Sequence, residues 1–385
     1  MKTEGNDMEK DISEILFPVV RSGLGLETAD LQLSADECRE LLRFGEGQSI
    51  LSIIYTGLEK LNAPRECLKE YSKAHFGSIY RYLKRDLAIK RISSVLDSEE
   101  IPYVLLKGAV LQHLYPGPEL RTSHDIDILV QENDLDKAAA AIESSTEFKY
   151  LKKGYHDISM LGPEILLELH FTLKENAENL DGLLERAWDY TVPSGEGSRC
   201  DFTPEYQMFH IISHMEHHFL HGGLGIRPFI DLWLLNKKTS FDERKVRDMC
   251  ESCGILKFYE ESCMLSHVWF EGETHTDTSK MFEAICLSGG ALGAKKFKNA
   301  ARQKKKRGLS YIAGRVFPPA YEVREYYKDE SGKEHNLSYY YMKRLLSWTG
   351  KERRGDLYRQ VQEILSSDQN YLDMADELLK RLDLR

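Results

Sequence analysis

The chain has 385 residues and a formal net charge of −10, with 30% charged and 42% hydrophobic residues. These values are ordinary for a globular protein, and the negative charge disfavours broad wrapping of a nucleic acid, although nucleic acid stays possible as a partner. No apolar run approaches the roughly 20 residues that a membrane helix needs. The N-terminus lacks a signal-peptide core and the seven cysteines are scattered, so we expect a cytoplasmic protein with reduced thiols.

Helical patterns flank a mixed region of the chain. Apolar residues recur at helical spacing within residues 9–95, where Ser34 begins a predicted capping box. Residues 192–203 are rich in Gly, Ser and Pro, which predicts a turn or linker, and Pro204 is placed to open a second helical region. These boundaries predict an N-terminal helical region (1–95), an αβ core (96–195) and a C-terminal helical domain (203–385).

A short strand that leads into a helix is predicted at the start of the mixed region. The apolar run 101–106 ends in Lys107 and Gly108, and a helical pattern follows. A glycine at such a junction allows backbone N–H groups to approach a phosphate, and Lys107 adds a positive charge. The pair is therefore a candidate phosphate-binding element.

The segment 125–130 alternates between acidic and apolar residues. Asp125 and Asp127 share one face of the predicted strand, and Ile126, Ile128 and Val130 share the other. Two such carboxylates stay ionised together most easily around a cation, and hard oxygen ligands favour Mg²⁺ or Mn²⁺. We also expect the substitution D127N to abolish catalysis, because it removes a ligand of this cation. It should leave stability unchanged or raise it, because the two charges repel.

A predicted hairpin supplies a third acid. Residues 156–160 and 165–171 flank a Leu-Gly-Pro-Glu turn, and both segments have the character of strands. In the second segment Glu168 and His170 share a face, with apolar residues on the other. Glu168 on a neighbouring strand would complete a three-carboxylate metal site of the kind that promotes phosphoryl or nucleotidyl displacement.

With these pieces in this order, the chain resembles the DNA polymerase β-like nucleotidyltransferase superfamily. Within it, the chain is most similar to the bacterial "uncharacterised nucleotidyltransferase" family. One departure concerns the first motif, where most superfamily members have Gly-Ser or Gly-Gly and this chain has Gly108-Ala109, so that Lys107 or Ser123 would replace the serine contact. The matching segments are Leu106–Gly108, Arg121, Ser123–Val130, Leu167–His170, His214, His218, Arg227, Asp231–Leu235, Phe317–Pro319 and Arg324.

The resemblance implies an α+β fold with a polymerase β-like core, in which a small mixed sheet and its helices lie between helical regions. It implies transfer of a nucleoside monophosphate from an NTP, ATP among them, to an acceptor. Asp125 and Asp127 would hold two Mg²⁺ (or Mn²⁺) ions, and Glu168 would help to hold the second ion or act as general base. The acceptor stays open between a small molecule such as an aminoglycoside-like sugar, a peptide or protein, and an RNA, and the oligomeric state stays open too.

The remaining site candidates have two interpretations each. Arg121 is either a structural ion-pair partner or a triphosphate ligand, and the resemblance favours phosphate. His214 and His218 are four residues apart on one helix face, which suits either zinc or, as we prefer, the lining of the nucleotide or acceptor pocket opposite the acids. Arg227 and Asp231, also four apart, would form a helical ion pair or contact substrate.

Two other classes of function stay open, and one basic segment has two interpretations. A catalytically silent nucleotide-binding protein, or a partner of toxin–antitoxin type, would use the same fold, and a metal hydrolase would use the histidines of 210–221. The cysteine pair Cys250 and Cys253 lacks the second pair that a zinc site needs. The basic segment is either a solvated surface or a polyanion contact, and its residues are Lys295, Lys296, Lys298, Arg302, Lys304, Lys305, Lys306 and Arg307.

Overall fold

The computed structural model describes residues 12–28, 31–174, 179–289, 297, 336–347 and 369–384. The charged residues of the basic segment, the Phe317–Pro319 motif and Arg324 lie outside these residues.

The described residues before the sheet form four helices, and the sequence predicts that this region is helical. Ser34 and Glu37 form the predicted capping box, in which each side chain bonds the backbone N–H of the other residue. Phe17 of the first helix stacks on Trp269 with ring centroids 4.7 Å apart, so the N-terminal helices share an apolar core with the C-terminal ones. The helices are α1 (Ile12–Gly23), α2 (Ala35–Gly47), α3 (Leu51–Lys60) and α4 (Arg65–Ser98).

A seven-stranded mixed sheet lies at the centre of the described fold. Its strand order is β3-β4-β5-β2-β1-β7-β6. The strands β2 and β5 run parallel, β1 pairs with β2 antiparallel and with β7 parallel, and the other neighbours are antiparallel. The strands are β1 (Tyr103–Leu105), β2 (Asp125–Val130), β3 (Lys149–Lys153), β4 (Asp157–Gly162), β5 (Ile165–His170), β6 (Thr191–Pro193) and β7 (Arg199–Phe202).

The predicted alternation along β2 is confirmed, because its two faces contribute to two different apolar clusters. Ile126, Ile128 and Val130 pack with residues of α4 and of α6 (Leu135–Ser145), such as Ile92 and Ile142. The opposite face bears Asp125, Asp127 and the buried Leu129, which joins the larger cluster formed with the N- and C-terminal helices. One face of the strand therefore anchors it, while the other presents the carboxylates.

The predicted hairpin is confirmed. Of the two alternatives for 192–203, the turn is present and the linker is wrong. Residues 191–202 form a second hairpin, in which Thr191 pairs with Phe202 and Ser194–Ser198 connect the two strands. Its strand β7 adds to the edge of β1, with Cys200 opposite Val104. Phe202 packs edge-on against Tyr206, with ring centroids 4.9 Å apart, so this segment is fixed to both the sheet and the next helix.

Five helices follow the second hairpin up to residue 287. The first begins as predicted, with Pro204 in its first turn and the Thr203 side chain accepting a bond from the Tyr206 N–H. None of the helices in the described part of the chain is long and apolar enough to cross a membrane. The helices are α8 (Pro204–Gly222), α9 (Arg227–Lys238), α10 (Glu243–Ser252), α11 (Leu256–Glu271) and α12 (Asp277–Leu287), and the shorter helices α5 (Gly108–Leu111) and α7 (Asp181–Glu185) lie earlier in the chain.

Candidate active site

A cavity of about 340 Å³ lies between the acidic face of the sheet and the helices α8 and α9. Every site residue predicted from the sequence lines it, so the structure brings together residues that are far apart in the chain. Their roles are not tested by this arrangement and stay predictions. The predicted residues on its wall are Lys107, Gly108, Arg121, Ser123, Asp125, Asp127, Glu168, His214, His218, Arg227 and Asp231.

The most compact group of possible metal ligands in the cavity lies on the two parallel strands β2 and β5. Their register puts Asp127 opposite Glu168. Ligand atoms of Asp127, Glu168 and His170 all lie within 4.8 Å of one another. Asp125 lines the same cavity but is not in this group, and its carboxylate accepts a 2.7 Å hydrogen bond from Ser123 Oγ. The compact group therefore contains His170 and omits Asp125, whereas the sequence predicts a site of the three carboxylates Asp125, Asp127 and Glu168.

The buried carboxylate of Asp127 lies beside the His170 imidazole and the Lys107 ammonium. Its Oδ1 is 3.1 Å from His170 Nε2 and 3.8 Å from Lys107 Nζ. Burial by itself raises the pKa of Asp127, but Lys107 and the hydrogen bond to His170 outweigh burial and hold that pKa well below its usual range. These contacts argue against the expectation that D127N leaves stability unchanged or raises it, because its premise was that repulsion between the acids dominates.

Glu168 differs from Asp127 in its electrostatic surroundings. Desolvation by burial is the largest influence and raises the pKa of Glu168, and the charge of Asp127 raises it further. His170, with Nε2 3.7 Å from Glu168 Oε2, acts in the opposite direction. The pKa values of the two carboxyls are therefore shifted in opposite directions, which is a common feature of sites that perform acid–base chemistry or bind cations.

The junction between β1 and α5 has the strained backbone expected of a functional site. Lys107 has φ 40° and ψ −104°, which a residue with a side chain rarely adopts. The next residue, Gly108, is tightly enclosed: a Cβ atom there would lie 2.9 Å from Arg121 Nη1 and 3.1 Å from Ser123 Oγ. This position therefore requires glycine for close approach rather than for turn geometry.

Arg121 is held in the wall of the cavity by a buried ion pair. Its Nε and Nη2 donate to the two carboxylate oxygens of Asp231 at 2.8 Å each, and Tyr115 Oη donates to Asp231 Oδ1 at 2.7 Å. The predicted helical pair of Arg227 with Asp231 is thus replaced by a pair with Arg121, because Arg227 Nη1 instead donates to the Thr122 carbonyl at 2.8 Å. The structural interpretation of Arg121 gains support, with Asp231 rather than the acids of β2 as its partner.

Helix α8 supplies the histidines of the opposite wall. His214 and His218 face the acids, and their Nε2 atoms are 2.9 Å apart, so one ring donates and the other accepts. Burial, and then the charge of Lys107, lower the pKa of His214 well below its usual value. Among the described residues, possible three-ligand metal groups occur at Asp127–Glu168–His170 and at His267–Glu271–Glu273, not in the histidines of 210–221.

The cysteine pair has no features of a metal or redox site. Cys250 and Cys253 are buried free thiols, and burial is the main cause that raises the pKa of each. A buried thiol with a raised pKa stays protonated and is a poor ligand or nucleophile.

Sequence reasoning missed several residues at the site. His170 was placed on the face of Glu168 but was not assigned a role, and His156, which stacks on it with ring centroids 5.4 Å apart, was not considered. Arg85 was also missed: it is 3% exposed and donates to the Ser123 carbonyl and to Gln112. The two-residue alternation of β5 could have identified His170, whereas no local signal identifies Arg85.

Comparison with known proteins decides the family. Residues 34–271, more than half of the chain, match the family described as "Uncharacterised nucleotidyltransferase". The chain belongs to this family. This nucleotidyltransferase is therefore an enzyme, and its expected membership is confirmed. No curated protein matches it.

One solved structure shows a weak likeness to this nucleotidyltransferase. It is the solution structure of the antibiotic-resistance factor ANT(2'')-Ia, with 14% sequence identity and a TM-score of 0.35, covering 48% of this chain and 97% of that one. A likeness of this size supports no argument about substrate.

Proposed function

We propose that this nucleotidyltransferase moves a nucleoside monophosphate from an NTP to an acceptor nucleophile, with release of pyrophosphate, in the cavity between the sheet and α8. The observation that carries the proposal is the register of β2 and β5, which aligns Asp127 with Glu168 on a wall that also bears Lys107. We assign a polymerase β-like core to residues 96–195 with β7 added, between helical regions 1–95 and 203–385.

The donor atoms at this site suit a divalent cation. Asp127 and Glu168 offer carboxylate oxygens on adjacent strands, and Asp125 adds a third on the same wall. Such oxygens are the ligands that Mg²⁺ and Mn²⁺ prefer in proteins. A bound divalent ion would neutralise triphosphate charge and lower the pKa of the acceptor group.

The protein's own residues would bind and orient the two substrates. Lys107 and Arg227 are cations on the cavity wall and would bind phosphate oxygens, with the Gly108 backbone beside them. Arg121 and Ser123 would mainly hold other side chains in place, since Arg121 is paired with Asp231 and Ser123 donates a hydrogen bond to Asp125. Glu168 would help to hold the ion or, since burial raises its pKa, accept the acceptor's proton.

The histidines of α8 would line the acceptor side of the cavity. His214 and His218 lie opposite the acids and hold each other through a ring-to-ring hydrogen bond. We expect His214→Ala to weaken nucleotide affinity or turnover. Unchanged values of both would reduce this histidine pair to a packing feature.

A labelled-NTP screen tests the proposal. The purified protein is incubated with each of the four α-labelled NTPs and Mg²⁺ or Mn²⁺, either with cell extract as a source of acceptors or alone to detect self-labelling. Labelled small-molecule, protein and RNA products are then distinguished by size and by nuclease or protease treatment. We expect label on one acceptor class and a loss of about a hundredfold or more in D127N. The matched control is Asp136→Asn, whose side chain is 85% exposed on α6.

Two results would favour the other classes of function. NTP binding without label transfer to any fraction would favour a silent nucleotide-binding or toxin–antitoxin-type protein. Acceptor-independent release of phosphate would favour a hydrolase, although the histidines of 210–221 provide no three-ligand group within the described part of the chain.

A further inference from the structure

The compact ligand group in the cavity contains one nitrogen donor. His170 follows Glu168 by two residues on β5, so both side chains leave the same face of the strand. Its Nε2 is the ring atom directed at both acids, 3.1 Å from Asp127 Oδ1 and 3.7 Å from Glu168 Oε2. The ring is 6% exposed, so it cannot turn to solvent without loss of packing.

The distance from the His170 nitrogen to each acid suits one coordination sphere. Metal–ligand bonds of about 2.1 Å in octahedral geometry place neighbouring donors about 3 Å apart and opposite donors about 4.2 Å apart. The separations of 3.1 Å and 3.7 Å from His170 Nε2 lie within that range, and the ligand atoms of the three residues form one group. Asp125 lies outside this group, and its Oδ1 accepts the Ser123 hydroxyl.

The backbone and a stacked ring fix the histidine in this position. Asp157 of β4 pairs with His170, and Leu129 of β2 pairs with it on the other side, so β5 is held from both edges at this residue. His156 stacks on the His170 ring with an interplanar angle of 4°. A ligand whose orientation is set by its neighbours loses little freedom on binding a metal ion.

We propose that His170 is a metal ligand, which makes the site a mixed nitrogen–oxygen site formed with Asp127 and Glu168 and gives it a preference for Mn²⁺ over Mg²⁺. This assignment rests on the proposed function, in which the same cavity holds a divalent ion. Imidazole nitrogen binds Mn²⁺ and later transition metals better than Mg²⁺, which strongly prefers oxygen. The ion binds the neutral ring, so His170 would give up any proton on Nε2 to solvent.

The competing explanation is that His170 only positions Asp127 through a hydrogen bond. Both explanations predict that a substitution at His170 weakens metal binding, so an affinity alone does not separate them. A nitrogen bonded directly to Mn²⁺ separates them, because its nuclear spin couples to the unpaired electrons of the ion.

The experiment is pulsed EPR on the full chain loaded with one equivalent of Mn²⁺, without nucleotide. We expect electron spin-echo modulation from a directly bound nitrogen, which changes to the ¹⁵N pattern when the protein is grown with ¹⁵N-histidine. The signal should disappear in His170→Gln and persist in His214→Ala, a histidine on the same cavity wall that is outside the compact group. By calorimetry, His170→Gln should weaken Mn²⁺ binding by about tenfold or more and Mg²⁺ binding by about threefold or less.

Mn²⁺ bound to the wild type without nitrogen coupling would overturn the assignment, and this result does not depend on whether any variant folds. Loss of the signal in His214→Ala with its retention in His170→Gln would overturn it too. Label transfer is measured separately on the same preparation. If label is transferred but no nitrogen binds Mn²⁺, the proposed function holds and the assignment of His170 fails. If nitrogen binds Mn²⁺ but no label is transferred, the assignment of His170 holds and the proposed function fails.

Discussion

Replacing Asp127 with asparagine should destabilise the protein, which reverses the expectation drawn from repulsion between acids. At an effective dielectric of about 20, attraction between Lys107 and Asp127 across 3.8 Å is worth about 4 kcal/mol. Repulsion from an ionised Glu168, whose ligand atom is within 4.8 Å, is worth at least about 3.5 kcal/mol at the same dielectric. The attraction and the repulsion are similar in size and opposite in sign, so the hydrogen bond to His170 decides whether D127N loses or gains stability.

The size of the loss follows from that hydrogen bond. A bond to a buried charged group contributes about 1.5 to 3 kcal/mol, of which a neutral amide retains part, so D127N should lose about 1 to 2 kcal/mol at pH 7. Because the pKa of Asp127 is lowered on folding, its contribution is present above the unfolded pKa of about 4 and is lost as pH falls through the folded value. The difference between wild type and variant should therefore shrink below about pH 4.

Urea unfolding followed by circular dichroism, with a chelator present, measures this difference at pH 7 and pH 3. Asp136→Asn is again the control, since its side chain is 85% exposed and should change stability little. A D127N protein that is as stable as the wild type or more stable at pH 7 would show that repulsion from Glu168 dominates, and the electrostatic reasoning would fail.

Three further substitutions test other parts of the structure. Asp231→Asn should cost about 3 to 5 kcal/mol in urea unfolding, because it leaves the buried Arg121 guanidinium without its charged partner, and a loss below about 1 kcal/mol would contradict this pairing. Gly108→Ala should lose about 1 to 3 kcal/mol and most transfer activity, since its Cβ would lie 2.9 Å from an Arg121 that Asp231 holds; normal stability would mean that Arg121 moves freely. Burial raises the pKa of Glu216 to about 7, so its cost to folding grows as pH rises from about 4.5 to 7. Glu216→Gln should therefore stabilise the protein by about 3 kcal/mol at pH 8 and by little at pH 4, and equal gains at both pH values would count against the raised pKa.

Local periodicity was sufficient to predict the central strands but not the second hairpin. In both 125–130 and 165–170 every second residue is apolar, because one face of each strand lies in an apolar core. The strands β6 and β7 are three and four residues long and flank a turn with two glycines of positive φ. The position of β7 in the sheet depends on its pairing with β1, nearly one hundred residues earlier, and no local pattern in 192–203 predicts that pairing.

The site was predictable where its residues share an element and unpredictable where they meet only in the folded chain. Asp125 with Asp127, and Glu168 with His170, follow from the two-residue period of a strand. The Arg121–Asp231 pair joins residues 110 positions apart, so the sequence suggested the helical neighbour Arg227 as partner instead. Spacing within a helix identifies possible ion-pair partners. Which partner a buried charge pairs with depends on the tertiary structure, which local spacing does not predict.

The strongest sequence argument for a metal ion was that two neighbouring carboxylates need a cation between them. The structure weakens that argument, since Lys107 already places a positive charge beside Asp127, and this charge and the hydrogen bond to His170 lower the pKa of Asp127. The case for a metal therefore depends on donor geometry, with three ligand atoms within 4.8 Å on two paired strands. An ion that entered this group would compete with Lys107 for the same carboxylate oxygen, and the displaced ammonium would then be available to the triphosphate beside Gly108.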